Sequence, residues 1–106
     1  MPFVMSAETT NSWIFLAVGM GSAESALSLR EIIRVADGIN HAIPTDNELQ
    51  DAFGWLLKQG LISKEGKKYR LTKKGLILYR EASAKSNRIF GMWDYLKEHF
   101  VTLNYD

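Results

Sequence analysis

A chain of 106 residues, 46% hydrophobic and 24% charged, has the balance of one small globular domain with a single modest core. It contains no cysteine, which excludes disulfides and thiolate metal sites and makes a cytoplasmic setting the simplest expectation. The formal net charge of +1 hides a division. Residues 1–60 carry three basic residues against seven acids, a net of −4, while residues 61–106 carry ten against five, a net of +5. Lys64, Lys67, Lys68, Arg70, Lys73 and Lys74 crowd together with Glu65 as the one acid among them. Such asymmetry points to a nucleic-acid-facing edge, or to a hairpin whose lysines guard it against strand pairing.

Taken in chain order, residues 1–8 show no periodicity and read as a loose arm. Thr9 or Thr10 is placed to cap a first helix reaching Met20, with Trp13, Leu16, Ala17 and Met20 at helical spacing. The apolar run from Trp13 to Met20 is preceded by no Lys or Arg, so it lacks the charged start of a signal peptide. It is also far shorter than the roughly 20 residues needed to cross a bilayer. A buried helix and no membrane partner are expected. Residues 21–27 read as a loop.

Ser28 followed by Glu31 forms a capping box that opens a second helix, with Leu29, Ile32, Ile33 and Ala36 inward. This helix ends near Gly38–Asn40, and Pro44 disfavours helical backbone at Ile43. Thr45 and Glu48 form a second box, after which Leu49, Ala52, Phe53 and Leu56 recur on one stripe. Trp55 borders that stripe and is expected under the hairpin or against the fourth helix. Gly60 supplies the left-handed residue that stops the third helix. Residues 61–72 then read as two short strands joined through Glu65-Gly66. A fourth helix follows from Lys73 to Lys85, a break at Ser86 or Asn87, and a fifth helix from Arg88 to Phe100 within a C-terminal segment 87–103. Its residues Ile89, Phe90, Trp93, Leu96 and Phe100 offer more apolar surface than one face needs. They are expected to close the core over the first helix on one side and to form a homodimer interface on the other. The expected class is mainly α with a small β-hairpin, α+β.

Little in the chain suggests catalysis. His41 and His99 have no second ligand at metal spacing, and the acids form no pair suited to acid–base work. Gly19-Met20-Gly21 follows a helix where a phosphate loop would follow a strand. No enzyme activity, metal or cofactor is expected.

Two stretches carry a resemblance. Thr45 to Ile62 (TDNELQDAFGWLLKQGLI) is similar to the recognition helix and first wing strand of bacterial winged-helix regulators. Tyr69-Arg70-Leu71-Thr72-Lys73-Lys74-Gly75 is similar to the Tyr-x-Leu-Thr-x-x-Gly exit from the wing in MarR-like and PadR-like families. The match covers roughly residues 12–85. It implies a single winged helix-turn-helix domain over 1–106, with the helix-turn-helix at 28–59, the wing at 61–72 and 87–103 as an added dimerisation helix. It further implies transcription regulation by a homodimer on double-stranded DNA, the third helix lying in the major groove and the wing on the backbone or minor groove. Carried over by position, the third helix presents Thr45, Asn47, Gln50, Asp51, Gly54 and Lys58. Lys58, Lys64, Lys67, Lys68, Arg70, Lys73 and Lys74 would meet phosphates. The chain departs from that pattern in one respect: Asp46, Glu48 and Asp51 stand on the helix that should read DNA, beside a single lysine. An acidic third helix of this kind suits a second expectation, a winged helix that binds a protein partner and no DNA.

Overall fold

The computed structural model describes residues 6–22 and 25–103. The chain runs α1 (Ala7–Gly21), β1 (Leu27–Ser28), α2 (Leu29–Asn40), α3 (Asp46–Lys58), β2 (Ile62–Glu65), β3 (Lys68–Leu71), α4 (Lys73–Lys85) and α5 (Ile89–Leu103). It is mainly helical with a small antiparallel sheet of order β1–β3–β2. Of the segment expected to be a loose arm, Ala7 and Glu8 are already helical, and residues 1–5 lie outside the described residues. The cap is Ser6, whose hydroxyl accepts from the Thr9 N–H, so Thr9 stands third in the helix it was expected to start.

α1 is the axis of the molecule. Thr10 through Gly19 are all buried, because α2, α3, α4, α5 and β3 surround the helix on every side. A helix apolar all round can only be stable when so enclosed. Met20, expected on its inner stripe, is exposed. Two indoles pin the axis to its neighbours. Trp13 Nε1 donates to the Ala36 carbonyl of α2 at 2.9 Å. Trp93 Nε1 of α5 donates to the Thr9 carbonyl at 3.1 Å and the Ser12 hydroxyl at 3.0 Å. The two indoles lie 6.2 Å apart in a near-parallel stack, and Phe15 meets Phe100 edge-on at 5.7 Å. Aromatic pairs of this geometry add about 0.5–1.5 kcal/mol to the burial of their area.

Both expected capping boxes are formed, Ser28 with Glu31 and Thr45 with Glu48, each pairing a side chain with the other residue's backbone N–H. On α2 the inward residues are Ile32, Ala36 and Ile39, whereas Leu29 is 44% exposed. That helix ends at His41, which takes the left-handed conformation (φ 53°) usually left to glycine. On α3 the expected stripe of Leu49, Ala52, Phe53 and Leu56 is buried, and Gly60 has φ 72°.

Three expectations about this half of the fold are corrected. Leu27, expected in a loop, and Ser28, expected only as the cap of the second helix, form β1, pairing Leu27 with Tyr69 and Ser28 with Lys68. Two residues are too few to leave an alternation for a reader of the sequence to find. The hairpin turns one residue later than expected: Glu65 still pairs with Lys68, so Gly66-Lys67 is the connection. Gly66 (φ 65°) in the first loop position followed by a residue of ordinary φ matches the glycine-first hairpin turn. Trp55 packs on α5, its ring 4.7 Å from that of Phe100, an element not among those expected for it.

The Leu-Thr-x-x-Gly exit has a physical reason. The Thr72 hydroxyl donates to the Gly60 carbonyl at 2.6 Å and accepts from the Gly75 N–H, joining the stop of α3 to the start of α4. A Cβ on Gly75 would run into the Leu61 carbonyl, so only glycine lets α4 lie flush on the strand entry.

Candidate nucleic-acid interface

α3 and the hairpin form one edge of the molecule. At 100° per residue, Asn47, Gln50, Asp51, Gly54 and Lys58 fall within an arc of about 100° opposite the buried stripe, and all of them are exposed. Glu48 is occupied in its capping box, its carboxylate accepting from the Thr45 N–H at 2.8 Å, and the Thr45 hydroxyl is occupied by the Glu48 N–H. The head groups this face offers to a partner are therefore two amides, the Asp51 carboxylate and the Lys58 ammonium.

The hairpin is fixed to α3 by a stack. Phe53 and Tyr69 lie ring on ring at 4.3 Å and 7°, and the Lys64 ammonium sits 5.7 Å from the centre of the Tyr69 ring. Lys64 and Tyr69 are register partners and so share one face of the ribbon, while Ser63, Glu65, Lys68 and Arg70 share the other. A hollow of about 160 Å³ lies at the junction, lined by Leu29, Asp46, Leu49, Gln50, Phe53 and Tyr69.

The basic cluster is less free than its composition suggests. Arg70 donates to Glu65 at 3.2 Å across the ribbon. Lys74 Nζ donates to the Gln59 carbonyl at 2.9 Å, where a cation also complements the C-terminal end of α3. The Glu31 carboxyl is held below the usual carboxylate range, first by the Ser28 backbone and side-chain hydrogen bonds and then by the charges of Lys68 and Arg34. The charge of Glu31 on α2 is thus felt at the hairpin, and counting charges along residues 64–74 could not reveal it. Lys58, Lys67 and Lys73, together with Lys64 beyond its contact with the Tyr69 ring, are exposed cations of the edge for which solvent or a ligand is the natural partner.

The dimer face expected on α5 divides differently. Leu96 and Phe100 are fully buried and Trp93 nearly so, all within the core of this one chain. Ile89 and Phe90 remain outside, Phe90 at 59% exposure and stacked on Trp93 at 6.0 Å. The stripe was legible, but the share of it taken by α1 depended on α1 being apolar on all sides.

Among the described residues no group of three His, Cys, Asp or Glu side chains could hold a metal ion, and no helix is long and apolar enough to cross a membrane. A second hollow of about 180 Å³ lies between the end of α1, β3 and the start of α4, lined by Gly19, Ser22, Arg70, Leu71, Leu76 and Tyr79. There Tyr79 lies against Gly19, and burial pushes its hydroxyl above the ordinary phenol range.

Gly54 stands apart from the other glycines on this edge. It lies in the interior of α3, where glycine costs about 1 kcal/mol relative to alanine. Yet a Cβ there would meet nothing within 4 Å. The fold itself gives no reason for it. No family model, curated protein or solved structure matches the chain.

Proposed function

We propose that this chain is a winged-helix protein that binds double-stranded DNA, with α3 entering the major groove and the β2–β3 hairpin as the wing, and that it serves in transcription regulation. The observation that carries this reading is the exposed α3 face bearing Asn47 and Gln50 beside a hairpin with lysines at Lys64 and Lys67. The order helix, strand, helix, helix, strand, strand, with the short first strand added to the hairpin, supports the same reading. Either amide can pair bidentately with adenine N6 and N7, which supplies sequence reading, and the lysines supply sequence-independent attraction to phosphate. Pairing of two copies on one site would use Ile89 and Phe90.

The test is binding of the chain to short duplexes as salt is varied. Four phosphate-neutralising lysines (Lys58, Lys64, Lys67 and Lys73) give a slope of log Kobs against log salt of about −3 to −4. Replacing Lys64 and Lys67 with Ala should flatten that slope by about 2 and weaken binding to all sequences alike. Absence of binding to every duplex at low salt removes the proposal.

A second reading, an interaction module for a basic protein partner, has its own support. Asp46 and Asp51 are exposed on α3, while Glu31 and Glu65 offset Lys68 and Arg70. In that case neutralising Asp46 and Asp51 would abolish partner capture, whereas on DNA the same change strengthens binding.

A further inference from the structure

Resting on the DNA reading above, we infer that Asp51 is a specificity-determining residue that accepts a hydrogen bond from the exocyclic amine of cytosine. Gly54 is the point at which the α3 backbone lies against the groove.

Three observations converge on this. First, the α3 face holds no arginine, and its one lysine, Lys58, is in the last turn, so the middle of the helix has no cation to pair bidentately with the O6 and N7 acceptors of guanine. What it does hold is Asn47 and Gln50, suited to adenine, and Asp51, whose carboxylate can only accept. In the major groove the base amines are cytosine N4–H₂ and adenine N6–H₂, and the N7 acceptor beside the adenine amine repels a carboxylate, which leaves cytosine as its match. Second, Asp51 is exposed, and its carboxylate is engaged neither in capping, as Glu48 is, nor across the hairpin, as Glu65 is. Third, Gly54 lies one turn beyond Asp51 on the same face, in the interior of the helix and with open space where a side chain would be. Asparagine, aspartate and glycine are the short residues of this face. A helix bearing short side chains must sit deep for them to reach base edges, and a residue without a side chain at the centre of the arc permits that depth. Gly38 is also open to solvent, but it lies in the last turn of α2, away from this face.

The inference restricts the target to duplexes in which the bases contacted by the middle of α3 are adenine and cytosine, guanine being present there only as the pairing partner of that cytosine. It also accounts for an acid placed where it repels phosphate: the carboxylate lowers affinity for every sequence and recovers part of the loss only at cytosine.

The experiment is selection by the full chain from a pool of duplexes with a randomised centre, followed by competition against a fixed non-selected duplex. The wild type should enrich one cytosine flanked by adenines. Asp51→Asn should change that cytosine to adenine, by about tenfold in relative affinity, while raising affinity for non-selected duplexes. Gly54→Ala should raise the melting temperature, since it improves helix propensity and meets no neighbour, yet weaken binding to the selected site about tenfold with the non-selected affinity unchanged. A fold-stabilising change that costs only specific binding is an outcome that a merely structural role for Gly54 does not produce. Unaltered base preference in Asp51→Asn, or an unaltered ratio of selected to non-selected affinity in Gly54→Ala, overturns the inference. Binding to all duplexes without enrichment overturns it too while leaving the DNA reading standing. Absence of binding to any duplex at low salt removes both.

Discussion

The α1–α5 contact and the α3–hairpin edge are built on opposite principles. Around α1, indoles and phenyl rings are enclosed, and each buried indole N–H has an acceptor. Along the hairpin, nearly every side chain is exposed or half-exposed, and a ring stack, an ion pair, a two-residue strand and the buried Ile62 at its base hold it in place. Stability resides in the first region and surface chemistry in the second. The hairpin can change its charges with little effect on folding, while the aromatic centre can change almost nothing.

The sharpest way to break that contrast is to empty the centre. Phe100→Ala removes a fully buried ring that touches Phe15 and Trp55, and should cost about 3–5 kcal/mol in urea unfolding. Were α5 a dimer helix attached to an independent core, the loss would instead depend on protein concentration. Next in size is Gly75→Ala, which forces a methyl against the Leu61 carbonyl and should cost about 1–3 kcal/mol. Hydrogen exchange should show the loosening at Thr72–Leu76 and in the hairpin ahead of α1. The smallest effect is at alkaline pH. Burial raises the Tyr79 hydroxyl above its ordinary value of 10.0, so its contribution is fully present below the unfolded pKa. It is lost as pH rises through the folded pKa. Tyr79→Phe should therefore flatten the fall in melting temperature above about pH 10 and leave neutral stability nearly unchanged.

Much of this was legible because local chemistry determined it. Thr45 with Glu48 and Ser28 with Glu31 mark helix starts through side-chain reach alone, and Gly60 and Gly66 mark turns through φ alone. Leu49, Ala52, Phe53 and Leu56 followed from a period. What was not legible depended on distant chain. β1 exists because β3 offers it two residues' worth of pairing, and nothing in Leu27-Ser28 announces it. Trp55 faces α5, since Phe100 completes its surroundings from a position far along the sequence. The charge of Glu31 near Lys68 went unseen for the same reason, since it belongs to another element. On the candidate site, the exposed residues of α3 were found by counting along the helix. That Lys74 and Arg70 are engaged, and that Gly54 meets no neighbour, needed atoms.

The bond from the Trp93 indole to the Thr9 carbonyl spans 84 positions of the chain. During synthesis the ribosome therefore delivers the most water-averse helix of the protein long before the segment that shields it. Until α5 emerges, the nascent polypeptide carries an oily rod with one face uncovered, and its yield in the cell should depend on holdase chaperones more than the modest size of the finished protein would lead one to expect.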